Sequence, residues 1–359
     1  MLCADGSVPF GHARVGHCQA LKYATPLSGN RQGCCFLLPL CFHPFMSEQQ
    51  STADVLMIRP ASFCANPQTI ESNCFQSHPT PTDQTHDEAQ SLAILEFDRL
   101  VVALQVAGVR VHVFDDSVEP QTPDAIFPNN WVSFHADGTV VLFPMFAPNR
   151  RLERRKDVIA SLRNTCGFHA ARLIDLTHHE QAGHFLEGTG SLVLDRVNRI
   201  AYACLSARTH PDVLAEYGRQ LDYDIINFDA HDSHGFPIYH TNVLMSIGTQ
   251  FATVCADAIE RGQRSRVLDA LKTTGHQVIE LSHEQMHNFA GNMLELATTD
   301  NRRIVALSDR AAAALTQEQR DALRTYSGPL VSAAIPTIEN LGGGSVRCML
   351  AEIHLARAN

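Results

Sequence analysis

Apolar segments recur along the chain in pairs, and turn-forming residues separate the two members of each pair. The clearest pair lies within 131–143, where apolar positions flank Asp137-Gly138, a dipeptide that favours a two-residue hairpin turn. Hairpins are predicted in the same way at 191–205, 242–254 and 292–307. A last apolar stretch, 345–355, has no following partner, so we expect it to form a strand that pairs with an early strand at 53–58.

Helical patterns separate these hairpins. The best defined helix is predicted to begin at Thr85, because Glu88 completes a capping box and apolar residues follow at helical spacing. Ser308 suits an N-cap, and Pro211 suits the first turn of a helix. The other helices are predicted at 152–162, 211–221, 256–273 and 309–323.

The hairpins begin near residues 131, 191, 242 and 292, and the last strand begins near 346. Units of roughly 50–60 residues that each contain strands and a helix predict radial repetition around an axis. An α/β fold of five such units is therefore favoured over the alternative, an ordinary mixed α/β sheet. The preference depends on the polar residues that open each unit, since they are poor starts for a buried strand.

In a radial arrangement the first strands of all units begin at one end of a central channel, so residues that are distant in sequence meet there. The opening residues are Asn129 and Asn130, then Glu187, then His240 and Asn242, then Asn288 and Asn292, and finally Cys348. Convergent polar groups in an apolar setting are the usual pattern of an active site. The sequence therefore predicts an active site at this end of the channel.

Cys348 follows three glycines, Gly342 to Gly344, which allow a tight turn and a close approach of the backbone to a ligand. A buried cysteine taken alone is usually inert core packing. The glycines, the position at the start of a unit and a candidate base elsewhere favour a nucleophilic role, which requires a nearby base or a lowered thiol pKa.

His240 is the best candidate for that base among the 19 histidines. A single histidine at the start of an apolar strand is more often structural, and the case for His240 depends on the repeat position that it shares with Cys348 and Glu187. Glu187 lies between apolar residues and glycines, where surface glutamates are seldom found. This context favours a buried functional carboxylate.

The formal net charge is −10, with 45% hydrophobic and 18% charged residues, which is typical of a globular protein and weighs against non-specific nucleic-acid binding. No apolar stretch is long enough to predict a membrane span. The one basic run, from Arg150 to Lys156, is interpreted mostly as a solvated helix face. We therefore expect a small-molecule partner, without nucleic acid or membrane, and leave a homo-oligomer open.

Five of the 11 cysteines lie before residue 46, and the others are scattered without a Cys-x-x-Cys motif. The chain also lacks a recognisable secretory signal, so a reducing cytoplasm is predicted rather than a disulfide framework. Residues 1–45 carry few charges and no periodicity, and Met46-Ser47-Glu48 resembles a natural start. We expect 1–45 to be a disordered or wrongly assigned leader and 46–359 to form a single catalytic domain.

Histidines are concentrated in His231-x-x-His234 and in His178-His179 followed by His184. Neither group has further ligands at a spacing typical of zinc sites. We therefore interpret them as loop histidines and predict neither a metal ion nor a cofactor.

Six sequence blocks occur in an order that resembles the pentein superfamily of guanidino-group-modifying enzymes. They are PDAIFPNN at 123–130, APNRR at 147–151, LEGTG at 186–190, LSART at 205–209, YHTN at 239–242 and GGGSVRC at 342–348. The superfamily contains dimethylarginine dimethylaminohydrolases, arginine deiminases and amidinotransferases. The chain most resembles bacterial citrulline-utilisation hydrolases, over about residues 53–355.

The resemblance implies a five-bladed α/β propeller and a hydrolase that acts on the C–N bond of a guanidino or ureido amino acid. It implies Cys348 as the nucleophile and His240 as the general acid and base. Glu187 would be the carboxylate that binds the planar head group of the substrate.

The resemblance also implies residues that bind the rest of the substrate. Arg150 and Arg208 match arginines that hold the α-carboxylate, a task that suits a bidentate guanidinium. Asp124 matches an acid that contacts the substrate, and no cofactor is implied.

Three asparagines depart from the pattern of relatives that bind a cationic guanidinium. Those relatives typically have acids where this chain has Asn129 and Asn130, and arginine deiminases have an acid where it has Asn242. A buried guanidinium requires carboxylates, whereas amide side chains match the donors and acceptor of a neutral ureido group. We therefore expect the conversion of citrulline to ornithine and ammonia through an S-carbamoyl enzyme.

Alternatives remain in two classes. The same site would hydrolyse arginine or a methylated arginine through a thiouronium intermediate, or it would pass the group to an amine, as amidinotransferases do. In the other class, the chain is a non-catalytic amino-acid-binding protein. A binding protein has no need of a nucleophile, which weighs against that class.

Overall fold

The structure, a computed structural model, describes residues 48–76 and 85–357, and the predicted leader at 1–45 lies outside the described residues. Strands in the described part of the chain form five sheets of three strands each. They are β1 (Asp54–Arg59), β2 (Arg110–Asp115), β3 (Val132–Phe134), β4 (Thr139–Leu142), β5 (Arg172–Asp175), β6 (Val193–Asp195), β7 (Ile200–Cys204), β8 (Asp224–Phe228), β9 (Met245–Ile247), β10 (Phe251–Val254), β11 (Gln277–Glu280), β12 (Leu294–Ala297), β13 (Arg303–Ser308), β14 (Leu330–Ala333) and β15 (Ala351–Glu352).

Helices connect the strands, and short 3-10 helices lie between them. The α-helices are α1 (His86–Val106), α2 (Lys156–Asn164), α3 (Gly188–Ser191), α4 (Pro211–Leu221), α5 (Arg261–Thr273), α6 (His283–His287), α7 (Asp309–Ala314), α8 (Gln317–Tyr326) and α9 (Pro336–Gly342). The predicted capping box at Thr85 is present, with both of its hydrogen bonds, and Ser308 caps α7 as predicted.

The sheets share one pattern of connection. In β3-β4-β5, the first two strands form an antiparallel hairpin, and α2 then returns the chain to a third strand that pairs in parallel with the middle one. The sheets β6-β7-β8, β9-β10-β11 and β12-β13-β14 repeat this order, with α4, α5 and the pair α7 and α8 as the connections. All four predicted hairpins are therefore confirmed.

The fifth sheet joins an early strand to a late one. β15 pairs antiparallel with β1, with Val55 opposite Glu352 and Leu56 opposite Ala351, and β1 pairs in parallel with β2. This pairing confirms the contact predicted between 53–58 and 345–355. It completes the set of five units that the repeat predicted.

Burial decreases from the first strand of each unit to the last. Strands β3, β6 and β9 are buried throughout, whereas the third strands β2, β5 and β11 expose half or more of their positions. First strands pack on one another in three pairs, which are β15 with β3, β6 with β9 and β9 with β12. Their starts therefore lie close together, which is the condition for a shared site.

Buried ion pairs join the far ends of these inner strands. Arg196, directly after β6, lies 2.8 Å from Glu48 and 3.6 Å from Glu352 of β15. Arg347 donates to Glu352 at 2.8 Å, and Gln50 donates to backbone carbonyls at the ends of β6 and β9. The segment at 48–50 thus ties several units together at the end opposite to the predicted site.

Several predicted elements differ from the structure, and the helices predicted at 152–162 and 256–273 begin only at Lys156 and Arg261. The stretch 345–355 is a strand only at Ala351–Glu352, because Val346–Met349 winds into a 3-10 helix that carries Cys348. The single helix predicted at 309–323 is interrupted, since Thr316 begins a second capping box and with it α8.

The basic run before α2 is not a solvated helix face. α2 begins only at Lys156, and the preceding Pro148–Glu153 forms a 3-10 helix in which Arg150 is fully buried. Arg151 and Arg154 lie 3.5 Å and 2.5 Å from the carboxylate of Glu180. The run therefore consists largely of paired charges. None of the described helices combines the length and apolarity needed to cross a bilayer.

Candidate active site

Short turns precede the inner strands, and most of the predicted site residues lie on them. The residues are Asn129 and Asn130 before β3, Glu187 before β6, His240 and Asn242 before β9, Asn292 before β12, and Cys348 before β15. The turns before β3, β6 and β9 pack against one another, and the turn before β15 packs against the one before β3. Side chains from different units therefore meet, as the repeat predicted.

Gly190 permits the close packing of these turns. A Cβ at this position would lie 2.7 Å from Nδ1 of His240 and would also overlap the side-chain nitrogen of Asn130. The turn before β6 therefore contacts the turns before β3 and β9 directly, which requires a residue without a side chain.

His240 and Glu187 form a buried pair, with Nε2 of His240 2.8 Å from Oε2 of Glu187. Burial lowers the pKa of His240 to about 4, although the Glu187 carboxylate opposes this shift. Burial would raise the pKa of Glu187, but Arg208, His240 and Arg150 together hold it well below its ordinary value. At neutral pH, Nε2 of a neutral imidazole therefore donates to a carboxylate, and Nδ1 remains free to accept a proton.

Two arginines also face Glu187. Nη1 of Arg208 lies 3.4 Å from its Oε2, and Nη1 of Arg150 lies 3.7 Å from the same oxygen. Arg208 also donates to the backbone carbonyl of Thr69 at 3.3 Å and to the hydroxyl of Ser72 at 2.7 Å. In this structure, both arginines predicted to bind an α-carboxylate thus point towards the predicted head-group carboxylate.

Arg150 belongs to a larger buried group of charges. It donates to both carboxylate oxygens of Glu153 at 2.9 Å and to Oδ1 of Asn130 at 2.9 Å. Oδ2 of Asp124 lies 3.6 Å from Nε of the same guanidinium. Burial raises the pKa of Glu153, although the charge of Arg150 opposes the shift. The group contains the three carboxylates of Asp124, Glu153 and Glu187 and two guanidinium groups.

Cys348 is buried between two amides. Nδ2 of Asn292 lies 3.3 Å from its Sγ, and Nδ2 of Asn242 lies 3.4 Å from the same atom. Gly343 leads into this turn with a φ of +62°, in the left-handed region that favours glycine. Within the part of the chain that the structure describes, the hydrogen-bond partners of the thiol are thus two neutral donors.

Several buried polar atoms near the thiol have no hydrogen-bond partner among the described residues. They include Nδ2 of Asn130, the Oδ1 atoms of Asn242 and Asn292, and Oδ1 of Asp124. Buried polar groups are normally paired, so these donors and acceptors suit a polar ligand.

A narrow cavity lies at the centre of these groups. It is lined by Asp124, Asn130, Arg150, Arg208, His240 and Cys348, among others. Glu187 and Asn242 lie behind this lining, in contact with His240 and Cys348 respectively. Asn129 does not line the cavity, and neither of its side-chain amide atoms has a partner among the described residues.

The sequence-based set of site residues omitted three side chains that contact it, those of Glu153, Thr69 and Ser72. Asn292 was identified as an opening residue of its unit, from its position in the repeat, but was given no role in the site. Glu153 was hidden in a basic run that resembled a solvated surface. Thr69 and Ser72 belong to an irregular segment, which has no periodicity to predict where it lies.

The model of a protein family described as N,N dimethylarginine dimethylhydrolase, eukaryotic, matches residues 59–355. The chain belongs to this family. It is accordingly a hydrolase of the pentein superfamily, as its sequence blocks indicated, and its five three-stranded units are the pentein fold. A comparison with curated protein sequences gives no significant match.

Solved structures related to the dimethylarginine dimethylhydrolase family have the same fold. ArgZ, an arginine dihydrolase from the ornithine–ammonia cycle in cyanobacteria, has a TM-score of 0.65 and 15% identity, over 84% of this chain and 40% of ArgZ. A variant of the ArgZ N-terminal domain, covalently bound to a reaction intermediate, has a TM-score of 0.65 and 14% identity, over 84% of this chain and 97% of that domain.

A dimethylarginine dimethylaminohydrolase variant, in an adduct with S-methyl-L-thiocitrulline, has a TM-score of 0.57 and 13% identity. The similarity covers 84% of this chain and all of that enzyme. This chain therefore spans the whole of one relative but only 40% of full-length ArgZ.

Proposed function

We propose that this chain hydrolyses the ureido group of L-citrulline, with Cys348 as the nucleophile, and that it releases ornithine, ammonia and carbon dioxide. The relatives are named for arginine and dimethylarginine, whose head groups are cationic. The proposal therefore concerns the charge of the head group. The main observation that supports it is the set of side chains that surrounds Cys348. A cytoplasmic location remains a prediction from the cysteine pattern.

Amides rather than carboxylates surround the proposed nucleophile. The side chains of Asn242 and Asn292 donate to its sulfur, and their carbonyl oxygens are unpaired among the described residues. A neutral ureido group offers NH₂ donors to those oxygens and a carbonyl that accepts from nearby amides. Neither amide supplies a counter-charge to a guanidinium at the same place, and a buried charge without one costs several kcal/mol.

The carboxylates nearest to the cavity are already paired with arginines. Glu187 lies 3.4 Å from Arg208 and 3.7 Å from Arg150, and Asp124 lies 3.6 Å from Arg150. The protein's own guanidinium groups therefore balance much of the negative charge that a cationic head group would need. This balance supports a neutral substrate.

In the first proposed step, Nδ1 of His240 accepts the thiol proton, and the sulfur of Cys348 attacks the ureido carbon. The tetrahedral intermediate then breaks its bond to the δ-nitrogen of ornithine, and His240 returns the proton to that nitrogen. Cys348 is left as an S-carbamoyl group. Glu187 orients the imidazole and stabilises its protonated form, as a carboxylate does in other catalytic triads.

In the second proposed step, water attacks the S-carbamoyl carbon while His240 accepts a proton from it. The thiolate leaves, and the carbamate product decomposes to ammonia and carbon dioxide. One histidine thus acts as base and then as acid in the first step, and as base again in the second.

We further propose that Arg208 and Arg150 bind the α-carboxylate of the substrate. Arg208 is the better placed, because it already reaches Thr69 and Ser72, next to the cavity. On binding, it would exchange its contact with Glu187 for the substrate carboxylate. Arg150 keeps its two bonds to Glu153 and positions Asn130.

Arginine or a methylated arginine is the second candidate substrate. With Asp124, Glu153 and Glu187 all ionised, the three carboxylates exceed the two guanidinium groups by one negative charge, which a guanidinium substrate would balance. Protonation of Glu153, whose pKa is raised by burial, removes that excess. The net charge of these five side chains therefore depends on whether Glu153 carries a proton.

The test is incubation of the purified full chain with L-citrulline, L-arginine or asymmetric dimethylarginine, followed by identification of products by mass spectrometry. Citrulline labelled with ¹³C in the ureido group should yield unlabelled ornithine and labelled carbon dioxide. A Cys348→Ala variant should be inactive, whereas a Cys74→Ala variant, which removes an exposed thiol, should retain activity.

Other products would contradict the proposal in identifiable ways. Citrulline formed from either arginine substrate would establish the second candidate. Product that appears only after addition of an acceptor amine would establish a transferase. A binding protein would be indicated if none of the three substrates is turned over and if the Cys348→Ala variant binds citrulline as tightly as the unchanged protein does.

A further inference from the structure

A second group of reactive side chains lies on the surface, outside the active site. His178 and His179 belong to the 3-10 helix Thr177–Ala182 after β5, and Glu216 faces them from α4. The ligand atoms of these three side chains all lie within 4.8 Å of one another. We propose that His178, His179 and Glu216 bind a divalent transition-metal ion of the zinc type.

The spacing of the ligand atoms suits such an ion. Nε2 of His179 lies 2.8 Å from Oε2 of Glu216, and Nε2 of His178 lies 3.6 Å from the same oxygen. Zinc binds nitrogen and oxygen at about 2.0–2.2 Å, so tetrahedral ligands lie roughly 3.3–3.5 Å apart. Both distances to Glu216 are therefore close to those of a zinc site, and the two imidazole nitrogens lie within 4.8 Å of each other.

A hydrogen bond fixes the orientation of His178. Its Nδ1 lies 3.2 Å from the backbone carbonyl of Asp175, and a carbonyl can only accept, so Nδ1 is the donor. Nε2 consequently has a free lone pair that faces His179 and Glu216. An imidazole held through its other nitrogen in this way is the usual arrangement of a metal-binding histidine.

The donor set also selects the class of ion. Two imidazole nitrogens and one carboxylate suit zinc, copper or nickel, whereas magnesium and calcium prefer oxygen ligands. The side chains of His179 and Glu216 are only 15% and 22% exposed, and that of His178 is 57% exposed, so the group is both anchored and accessible from solvent. Three protein ligands leave a fourth position for water.

The neighbouring group of His184, His210 and Asp212 fits less well, although its ligand atoms also lie within 4.8 Å. Nδ1 of His210 already accepts the N–H of Asp212 as the N-cap of α4. The rings of His184 and His210 are stacked at 3.5 Å with an angle of 9° between their planes, whereas those of His178 and His179 are tilted by 33°. These observations favour the first group and make Asp212 a useful control.

The test is isothermal titration calorimetry of the full chain with zinc chloride, after removal of metals with EDTA. Because a thiol and an imidazole in the active site are themselves zinc ligands, every protein in the series carries Cys348→Ser. We expect one ion per chain. The double variant His178→Asn and His179→Asn should weaken binding at least ~100-fold, since two of the three ligands are lost.

Two matched controls should keep the affinity of the parent. One is the double variant His231→Asn and His234→Asn, which removes two histidines elsewhere, and the other is Asp212→Asn in the neighbouring group. Glu216→Gln provides a second test of the site that does not depend on the folding of the double histidine variant. It should weaken binding roughly 10-fold.

Several results would overturn the proposal. They are the absence of saturable zinc binding, unchanged binding in either site variant, and equal losses in the His231 and His234 control. Loss of binding in Asp212→Asn would move the site to the neighbouring group and would also contradict the proposal. Because the readout is metal binding in a catalytically inactive background, none of these outcomes depends on the substrate of the enzyme.

Discussion

At the scale of single residues, the surroundings of the Cys348 thiol are its most informative feature. Asn242 and Asn292 both donate to Sγ, from the units that begin with β9 and β12. Hydrogen bonds to a charged acceptor are stronger than those between neutral groups, so these amides should stabilise the thiolate more than the thiol. The reactivity of Cys348 should therefore depend on residues that are distant in sequence.

We expect Asn292→Ala to lower the rate of alkylation of Cys348 by iodoacetamide about 10- to 100-fold, because a hydrogen bond to a charged group contributes about 1.5–3 kcal/mol. The measurement is peptide mass spectrometry after timed alkylation, repeated across a pH series. Asn288→Ala is the matched control, since Asn288 lies on the same turn but donates to the backbone of α6. Equal rates for the two variants would contradict a role for Asn292.

The pH dependence of activity should show the effect of burial on the pKa of His240. Its pKa is lowered to about 4, and the neutral imidazole is the form that accepts the thiol proton. Activity is then lost as the pH falls through about 4, and at higher pH, where the imidazole stays neutral, it no longer varies with the protonation of His240. We expect the acidic limb of kcat/KM against pH near 4. A limb near 6.5, the ordinary value for histidine, would indicate a solvated imidazole.

Residues whose place in the site depends on a contact with another side chain were the hardest to predict from sequence. Cys348, His240 and Glu187 stand out because each interrupts an apolar pattern at an equivalent position of the repeat. Glu153 does not stand out, since its burial results from the ion pair with Arg150 and not from a local pattern. Charge patterns alone do not distinguish a paired buried run from a solvated one.

At the scale of elements, the turns before the inner strands determine the position of the proposed catalytic groups. Gly190 lies in the short helix α3, where the backbone approaches His240 and Asn130. An added methyl group must displace one of these side chains, because the surrounding turns are closely packed. The effect on activity should therefore exceed the effect on stability.

We expect Gly190→Ala to lower kcat at least ~100-fold, since a displacement of about 1 Å at a catalytic group has an effect of this size. Gly262→Ala is the matched control, because it lies in α5 with open space around its Cα and should be neutral or slightly stabilising. Steady-state kinetics and urea denaturation should be measured for both. Normal activity of Gly190→Ala would contradict the close packing of these turns.

The elements themselves were predictable where the signal is local. The hairpins follow from turn residues between apolar segments, as at Asp137-Gly138, and α1 follows from its capping box. The strand predicted at 345–355 is present only at Ala351–Glu352, because the preceding apolar residues, including Val346 and Met349, are buried in a 3-10 helix that shows no distinct periodicity. A short apolar run does not by itself specify which backbone geometry buries it.

At the scale of the whole molecule, the two ends of the inner strands carry different groups of polar side chains. One end carries the cavity, and the other carries the buried ion pairs of Arg196 with Glu48 and Glu352. The loss of one partner from such a group leaves uncompensated buried charges, which is strongly destabilising. These ion pairs should therefore affect stability without affecting the recognition of substrate.

We expect Arg196→Met to reduce the free energy of unfolding by about 3–5 kcal/mol while KM stays unchanged. Arg302→Met is the matched control, because its partner Asp300 is exposed and such a pair contributes less than about 1 kcal/mol. The measurement is urea denaturation of both variants beside steady-state kinetics. An equal effect of the two substitutions would show that the buried network contributes no more than a surface pair.

The pairing of β1 with β15 has a consequence for the synthesis of the protein. The two strands are separated by roughly 300 residues, and contacts between such distant residues form slowly. Cys348, the proposed nucleophile, lies directly before β15. It is therefore synthesised after all four hairpins, and a nascent chain that has already folded these hairpins still lacks the thiol. The proposed catalytic group can reach its place only when the late strand β15 joins the early strand β1.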